Sequence, residues 1–202
     1  MAAASSDQES GRRERVLAVA LEVFGRYGFR KASMDEVARS GEISRQGLYL
    51  YFANKEALFR AAVRQGLDTA LGEASGCLDE EGAGLDTRLV AAVDAWRGRY
   101  VGSMLGSDIR DLLDNSAMRL GDLVAASTAA FEARLAAAIA ASTAEADRRR
   151  LGVTPEEMAA MVQALGRGWE YQVGSRAEFV ARMTASVRLV LAGFTAAADE
   201  AP

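Results

Sequence analysis

The chain has 202 residues, half of them hydrophobic, with two prolines, one cysteine, no histidine and a net charge of −4. That length suits one sizeable core or a small domain joined to a larger one, and an alanine-rich, proline-poor composition favours helix nearly throughout. An all-α fold is expected; a lone Cys77 excludes an intrachain disulfide, and without histidine or a second thiol there is no soft metal site.

Residues 1–10 are small and polar without periodicity and read as a disordered tail, followed at once by Arg12, Arg13 and Arg15. Those arginines are read as the solvated first turn of a helix, within reach of phosphate if the domain binds DNA. Val16, Ala20, Val23, Phe24 and Tyr27 recur at helical spacing, and Gly28 ends that helix. Phe24 is the expected centre of a small core with Val37, Ala38, Leu48 and Phe52.

The segment from Lys31 to Phe59 places two short helices and the start of a third in quick succession. Ser33 and Glu36 have capping-box spacing, so a helix starts at Met34, with Val37 and Ala38 on its apolar face and Gly41 at its end. Ser44 caps a second helix that carries Leu48, Tyr51 and Phe52 inward. Asn54 caps a third, with Lys55 and Glu56 in its first turn. Two helices joined by a glycine-containing turn can set the second in a DNA major groove while the first crosses the phosphates. Arg45, Gln46 and Tyr49 are not needed for the apolar face and supply phosphate and base-edge partners, and Gly47 lets the backbone come close. The amide end after Asn54, together with the Lys55 charge, reads as a phosphate site.

The run from Ser44 to Phe59, S-x-x-G-L-Y-x-Y-F-x-N-K-E-A-L-F, resembles the DNA-binding signature of the TetR family of bacterial transcriptional regulators. The resemblance is strong over about Arg12 to Phe59; beyond it the chain matches in length and helical character. It implies an Ω-shaped homodimer, with an N-terminal helix-turn-helix domain (residues 11–57) and a larger helical ligand-binding and dimerisation domain (residues 58–202). It also implies that a small molecule in the second domain weakens binding to palindromic operator DNA, the behaviour of a repressor. Ser33, Arg45, Gln46, Gly47, Tyr49, Tyr51 and Lys55 fall on positions that commonly face DNA in that family, and Ser44 caps the helix that carries them. Leu50 departs from the pattern, replacing a phosphate contact or offering an apolar one to a thymine methyl.

The helix opening at Asn54 is expected to run to about Leu71 and to be the element joining the two domains. GEASGCLDEEGAG, residues 72–84, then reads as a loop. Leu85, Leu89, Val93, Trp96 and Tyr100 form a stripe on a helix expected to reach Leu105, with Gly98, Gly102 and Gly106 spaced along another of its faces. Ser107 or Asp108 caps a helix ending near Gly121, and Leu123 to Ala141 forms an alanine-rich one anchored by Phe131 and Leu135. Residues 145–150 read as a charged, solvated connection. Thr154, Pro155 and Glu157 start the next helix, and Ser175 with Glu178 starts the last. Both final helices are apolar on more than one side, as for helices buried partly in their own subunit and partly in a partner.

Trp96, Tyr100, Met104, Phe131 and Trp169 are large groups on helices that line the pocket in similar proteins and are the candidate effector site. Asp94, Arg97 and Tyr171 are possible polar anchors. Residues 1–60 hold ten Lys/Arg against eight Asp/Glu, so the basic excess lies with the helix-turn-helix despite the acidic total. No signal peptide and no uninterrupted apolar run of membrane-spanning length is present, so a soluble cytoplasmic protein is expected. No catalytic base, phosphate loop or nucleophile elbow is found; neither enzyme activity nor a cofactor is expected. The alternatives are a helical protein-interaction module and a DNA-binding regulator without a small-molecule ligand.

Overall fold

The computed structural model describes residues 2–98, 101–102 and 117–195. These form nine α-helices: α1 Ala2–Lys31, α2 Met34–Ser40, α3 Arg45–Tyr51, α4 Lys55–Leu78, α5 Leu85–Trp96, α6 Ala117–Ser142, α7 Glu145–Leu151, α8 Pro155–Gln172 and α9 Arg176–Thr195. The chain divides into two compact units, each with its own core.

The first unit is built on the residues that the periodicity placed inward. Val16, Leu17, Ala20, Val23 and Phe24 of α1 meet Met34, Val37 and Ala38 of α2, Leu48 of α3 and Phe52. Phe24 and Phe59 are in edge contact, with ring centroids 5.0 Å apart, and Phe29 lies 4.9 Å from Phe59. Gly28 interrupts α1 at a φ of 71°, a conformation natural to glycine. The unit extends beyond the expected boundary at residue 57. It reaches Thr69 along α4 and includes Leu120 and Leu123 of α6 in its core. At the other end α1 begins at Ala2, through the segment expected to be a disordered tail; no proline or glycine stands in its way before Gly11.

The second unit packs Ala74 and Leu78 of α4 against α5, the later part of α6, α8 and α9, around Phe131, Leu135, Ile139, Phe179 and Met183. Three expectations change along α4 to α6, the first two because core packing outweighs local propensity. First, α4 continues to Leu78, through what read as a loop, since Ala74 and Leu78 are buried despite Gly72 and Gly76. Second, α6 runs through Gly121 without a break, with Leu120 and Leu123 buried on either side of it. Third, α5 stops at Trp96, so Gly98 and Gly102 are turn residues and not a helical stripe. A Cβ on Gly98 would sit 2.8 Å from the Phe179 ring. At Gly102 (φ 76°) it would sit 2.6 Å from the Gly174 carbonyl oxygen. Close approach explains both glycines. Gly106 and the expected cap at Ser107 or Asp108 lie outside the described residues.

Residues 145–151, expected as a loop, form the short helix α7, closed by Gly152 in the left-handed conformation. Arg149 pairs with Glu145, and Arg148 donates to the Thr143 carbonyl near the end of α6, so this arginine run is largely occupied within the chain. Thr154 and Glu157 complete the capping box of α8. In α9 the Ser175 hydroxyl accepts from the Glu178 amide at 3.2 Å, while the Glu178 carboxylate takes the Gly174 amide, one residue earlier than a reciprocal box requires. The Leu120–Ser142 stretch is long and apolar enough to cross a membrane by length and composition, but its Leu120, Leu123, Phe131, Leu135 and Ile139 are core residues.

Candidate nucleic-acid interface

The helix-turn-helix is α2, the turn at Gly41 to Ile43, and α3. Ser33 and Glu36 form the expected reciprocal cap: the Glu36 carboxylate accepts from the Ser33 amide at 3.0 Å, and the Ser33 hydroxyl accepts from the Glu36 amide at 3.2 Å. Ser44 caps α3 through the Gly47 amide at 3.0 Å, and Asn54 caps α4 through the Ala57 amide at 2.8 Å. Three side-chain caps within about twenty residues hold short helices that would not persist alone.

With Leu48 fully buried beneath α3, its outward face carries Arg45, Gln46, Tyr49 and Leu50. Leu50 is 83% exposed and Tyr49 42%, so the two largest apolar groups of that face point away from the core. Arg45 donates from Nη1 to the Asp35 carboxylate at 3.1 Å, and its guanidinium carbon lies 5.8 Å from the Tyr49 ring centroid. From α1, Arg13 lies over the Phe52 ring at 5.4 Å.

Other expected DNA residues have structural work. Tyr51 is half-buried against the core beside Phe52. At Gly47, in the first turn of α3, an added Cβ would lie 3.0 Å from the Ser44 hydroxyl and 3.1 Å from Ile43, so the space for a side chain is tight on the protein side. Lys55, expected at a phosphate site, is engaged within the chain in this structure. Its ammonium donates to the Ala32 carbonyl at 3.1 Å and the Arg30 carbonyl at 3.5 Å, over the Phe29 ring at 4.7 Å. Carbonyls at the end of α1 lack helical donors, and the lysine supplies one.

The effector candidates divide similarly. Trp96 stacks on Phe131 at 5.0 Å, and Phe131 is fully buried among Leu135 and Ile139, a core position. Trp169 is half-buried, donates to the Ser186 hydroxyl at 3.0 Å and lies under Arg182. Tyr100 and Met104 lie outside the described residues, and Tyr171 is exposed. Asp94 is engaged by Arg176 through Nε and Nη2.

Arg97 does lie inside the second unit, and with it two residues that sequence reasoning missed. It donates to Glu170 at 3.1 Å and to the Gln163 side-chain oxygen at 3.3 Å; Gln163 is itself buried and donates to the Thr128 carbonyl at 3.4 Å. Burial pushes the Arg97 guanidinium below its ordinary value, with Glu170 opposing that fall. The available signal was spacing: Gln163 and Glu170 stand seven residues apart, on one face of α8, with Gln163 inside an otherwise apolar stripe.

The sequence model described as bacterial regulatory proteins, tetR family, matches residues 16–62. Over 59 residues the chain is 36% identical to the HTH-type transcriptional regulator RutR of Escherichia coli and 42% identical to UidR of the same organism. Each match covers 29% of this chain, and 28% and 30% of the relatives, so the chain spans less than a third of the length of either. Among solved structures, a TetR-like transcriptional regulator from Rhodococcus superposes with a TM-score of 0.60 at 21% identity, covering 90% of this chain and 96% of that one. GusR of Salmonella enterica does so with 0.65 at 22%, covering 92% and 96%. Those likenesses extend the shared fold to the second unit. The family is one of regulators and not of enzymes. Residues 16–62, which hold the capped helix-turn-helix, thus match the DNA-binding region of the TetR family of transcriptional regulators.

Proposed function

We propose that the chain is a ligand-responsive repressor that binds palindromic operator DNA as a homodimer and is released by a small, mostly apolar effector. The observation that carries the DNA reading is the outward face of α3, where Arg45, Gln46, Tyr49 and Leu50 are all exposed on a helix whose other side is locked by Leu48. Those four side chains meet the duplex in this reading, while Ser33, Ser44, Gly47, Tyr51 and Lys55 hold the two helices in register. The dimer reading is supported by apolar groups left outside on α8 and α9: Met161 is 47% exposed and Leu189 78%. Two-fold symmetry in the protein then calls for two-fold symmetry in the operator. The effector reading is supported by Trp96 and Trp169 near the polar pair of Arg97 and Glu170 on the helices of the second unit, a mixture of apolar surface with few polar groups. The test is selection of duplexes from a random pool by the full chain, followed by fluorescence anisotropy. Enrichment of an inverted repeat supports the reading; failure to retain any duplex at low salt removes it.

A further inference from the structure

Arg45 is the first residue of α3, at the end of the helix that meets base edges when a helix-turn-helix docks. Its guanidinium is held from two directions, by Asp35 of α2 and by the Tyr49 ring one turn along α3. Asp35 is the second residue of α2, the helix that crosses the phosphates in that docking mode. A carboxylate there repels the DNA backbone and offsets the charge of the nearest cation. Its place in the first turn of α2 favours a carboxylate through the helix dipole, but that does not call for a pairing with Arg45. The cap of α2 is complete through Ser33 and Glu36, and both partners of the ion pair are half or more exposed, where such pairs contribute little.

We propose that Asp35 is a specificity-determining residue, which holds Arg45 for a base edge and withholds it from phosphate. The bond to Asp35 uses Nη1, which leaves Nη2 and Nε in their fixed planar arrangement for a pair of acceptors such as guanine O6 and N7. On a random sequence the gain comes mainly from neutralised phosphates, and an arginine already paired to a carboxylate contributes little to it. At a cognate base the gain comes from hydrogen bonds, which the pairing leaves available. Asp35 thus lowers affinity for random duplex more than affinity for the operator. This inference rests on the DNA-binding reading above.

The experiment uses the full chain and two labelled duplexes, one selected by the wild type from a random pool and one of scrambled sequence, titrated by fluorescence anisotropy at several salt concentrations. Asp35→Asn keeps the shape and removes the charge. On the scrambled duplex its salt slope should steepen by about 0.9, an additional loss of about 3.5-fold between 50 and 200 mM salt, with tighter binding at the low end. Affinity for the selected duplex should change by less than about twofold, so the ratio between the two duplexes falls. In an Arg45→Ala background, Asp35→Asn should leave only the smaller gain from lost repulsion, alike on both duplexes and without the steeper slope, because the cation that it would release is gone. Equal gains on both duplexes, no change on either, or the same gain in the Arg45→Ala background would each overturn the proposal. A wild type that binds no duplex would instead remove the DNA-binding reading, and this inference with it.

Discussion

Removing the Lys55 ammonium tests whether this residue holds the domain together or holds DNA. Its Nζ donates to the Ala32 carbonyl at 3.1 Å, lies 4.7 Å from the Phe29 ring centroid, and reaches the Arg30 carbonyl only at the 3.5 Å limit. A hydrogen bond involving a charged group is worth about 1.5–3 kcal/mol net, and a cation over an aromatic ring about 0.5–1 kcal/mol at a partly exposed site. Taking the lower end of the first because the group is half-solvated, and nothing for the 3.5 Å contact, Lys55→Met should cost the first unit about 2 kcal/mol while keeping the aliphatic stem. At 1.4 kcal/mol per factor of ten, that is about a thirtyfold increase in the population of the open form. Both tryptophans, Trp96 and Trp169, belong to the second unit, so tryptophan fluorescence would not report on the first. Hydrogen–deuterium exchange with mass spectrometry resolves the two units. Peptides from residues 16–62 should exchange about thirtyfold faster in opening-limited amides, and peptides from α5 and α8 should not change. The salt slope of DNA binding should stay close to wild type, because the ammonium is already engaged by carbonyls. Unaltered exchange together with a slope flattened by about 0.9 would refute the reasoning and return Lys55 to a phosphate.

Ser33→Ala removes one half of the capping box and should destabilise the first unit by about 1 kcal/mol, read by the same exchange experiment. Gln46→Ala should change base preference at one operator position, costing about 1–3 kcal/mol there by quantitative anisotropy, with little effect on a scrambled duplex. Leu189→Asp should shift the chain from dimer to monomer in light scattering at micromolar concentration; an unchanged mass would place the dimer contact elsewhere. Trp169→Phe removes the indole donor to Ser186 while keeping an aromatic ring, and should alter effector affinity more than thermal stability. For any effector that relieves repression, operator DNA must weaken its binding by the factor by which it weakens DNA binding, and calorimetry with and without the operator checks that equality.

Local chemistry in the sequence was sufficient for the capped helix starts and for the inward face of α1. Ser33, Ser44, Asn54 and Thr154 each satisfy helix amides within three residues of themselves, so their caps required no knowledge of distant contacts. The apolar periodicity of Val16 to Phe24 likewise named the inward face before any neighbour was known. Elsewhere the outcome depended on contacts far along the chain. The extension of α4 through Gly72 and Gly76 depends on burial of Ala74 and Leu78 in a core whose other members come from α5, α6, α8 and α9. Gly98 and Gly102 looked like members of one helical row; only the approach of Phe179 and of the Gly174 carbonyl shows that each is required by a crowded turn. Lys55 is the sharpest case at the candidate site. Its position beside a helix amide end suggested a phosphate partner, yet the carbonyls that engage it belong to residues more than twenty positions earlier, brought within reach by packing of Phe24, Phe29 and Phe59. Capping and periodicity act over three or four residues and are written in local order, whereas the destination of a long charged side chain is set by whichever unsatisfied groups the folded chain brings close.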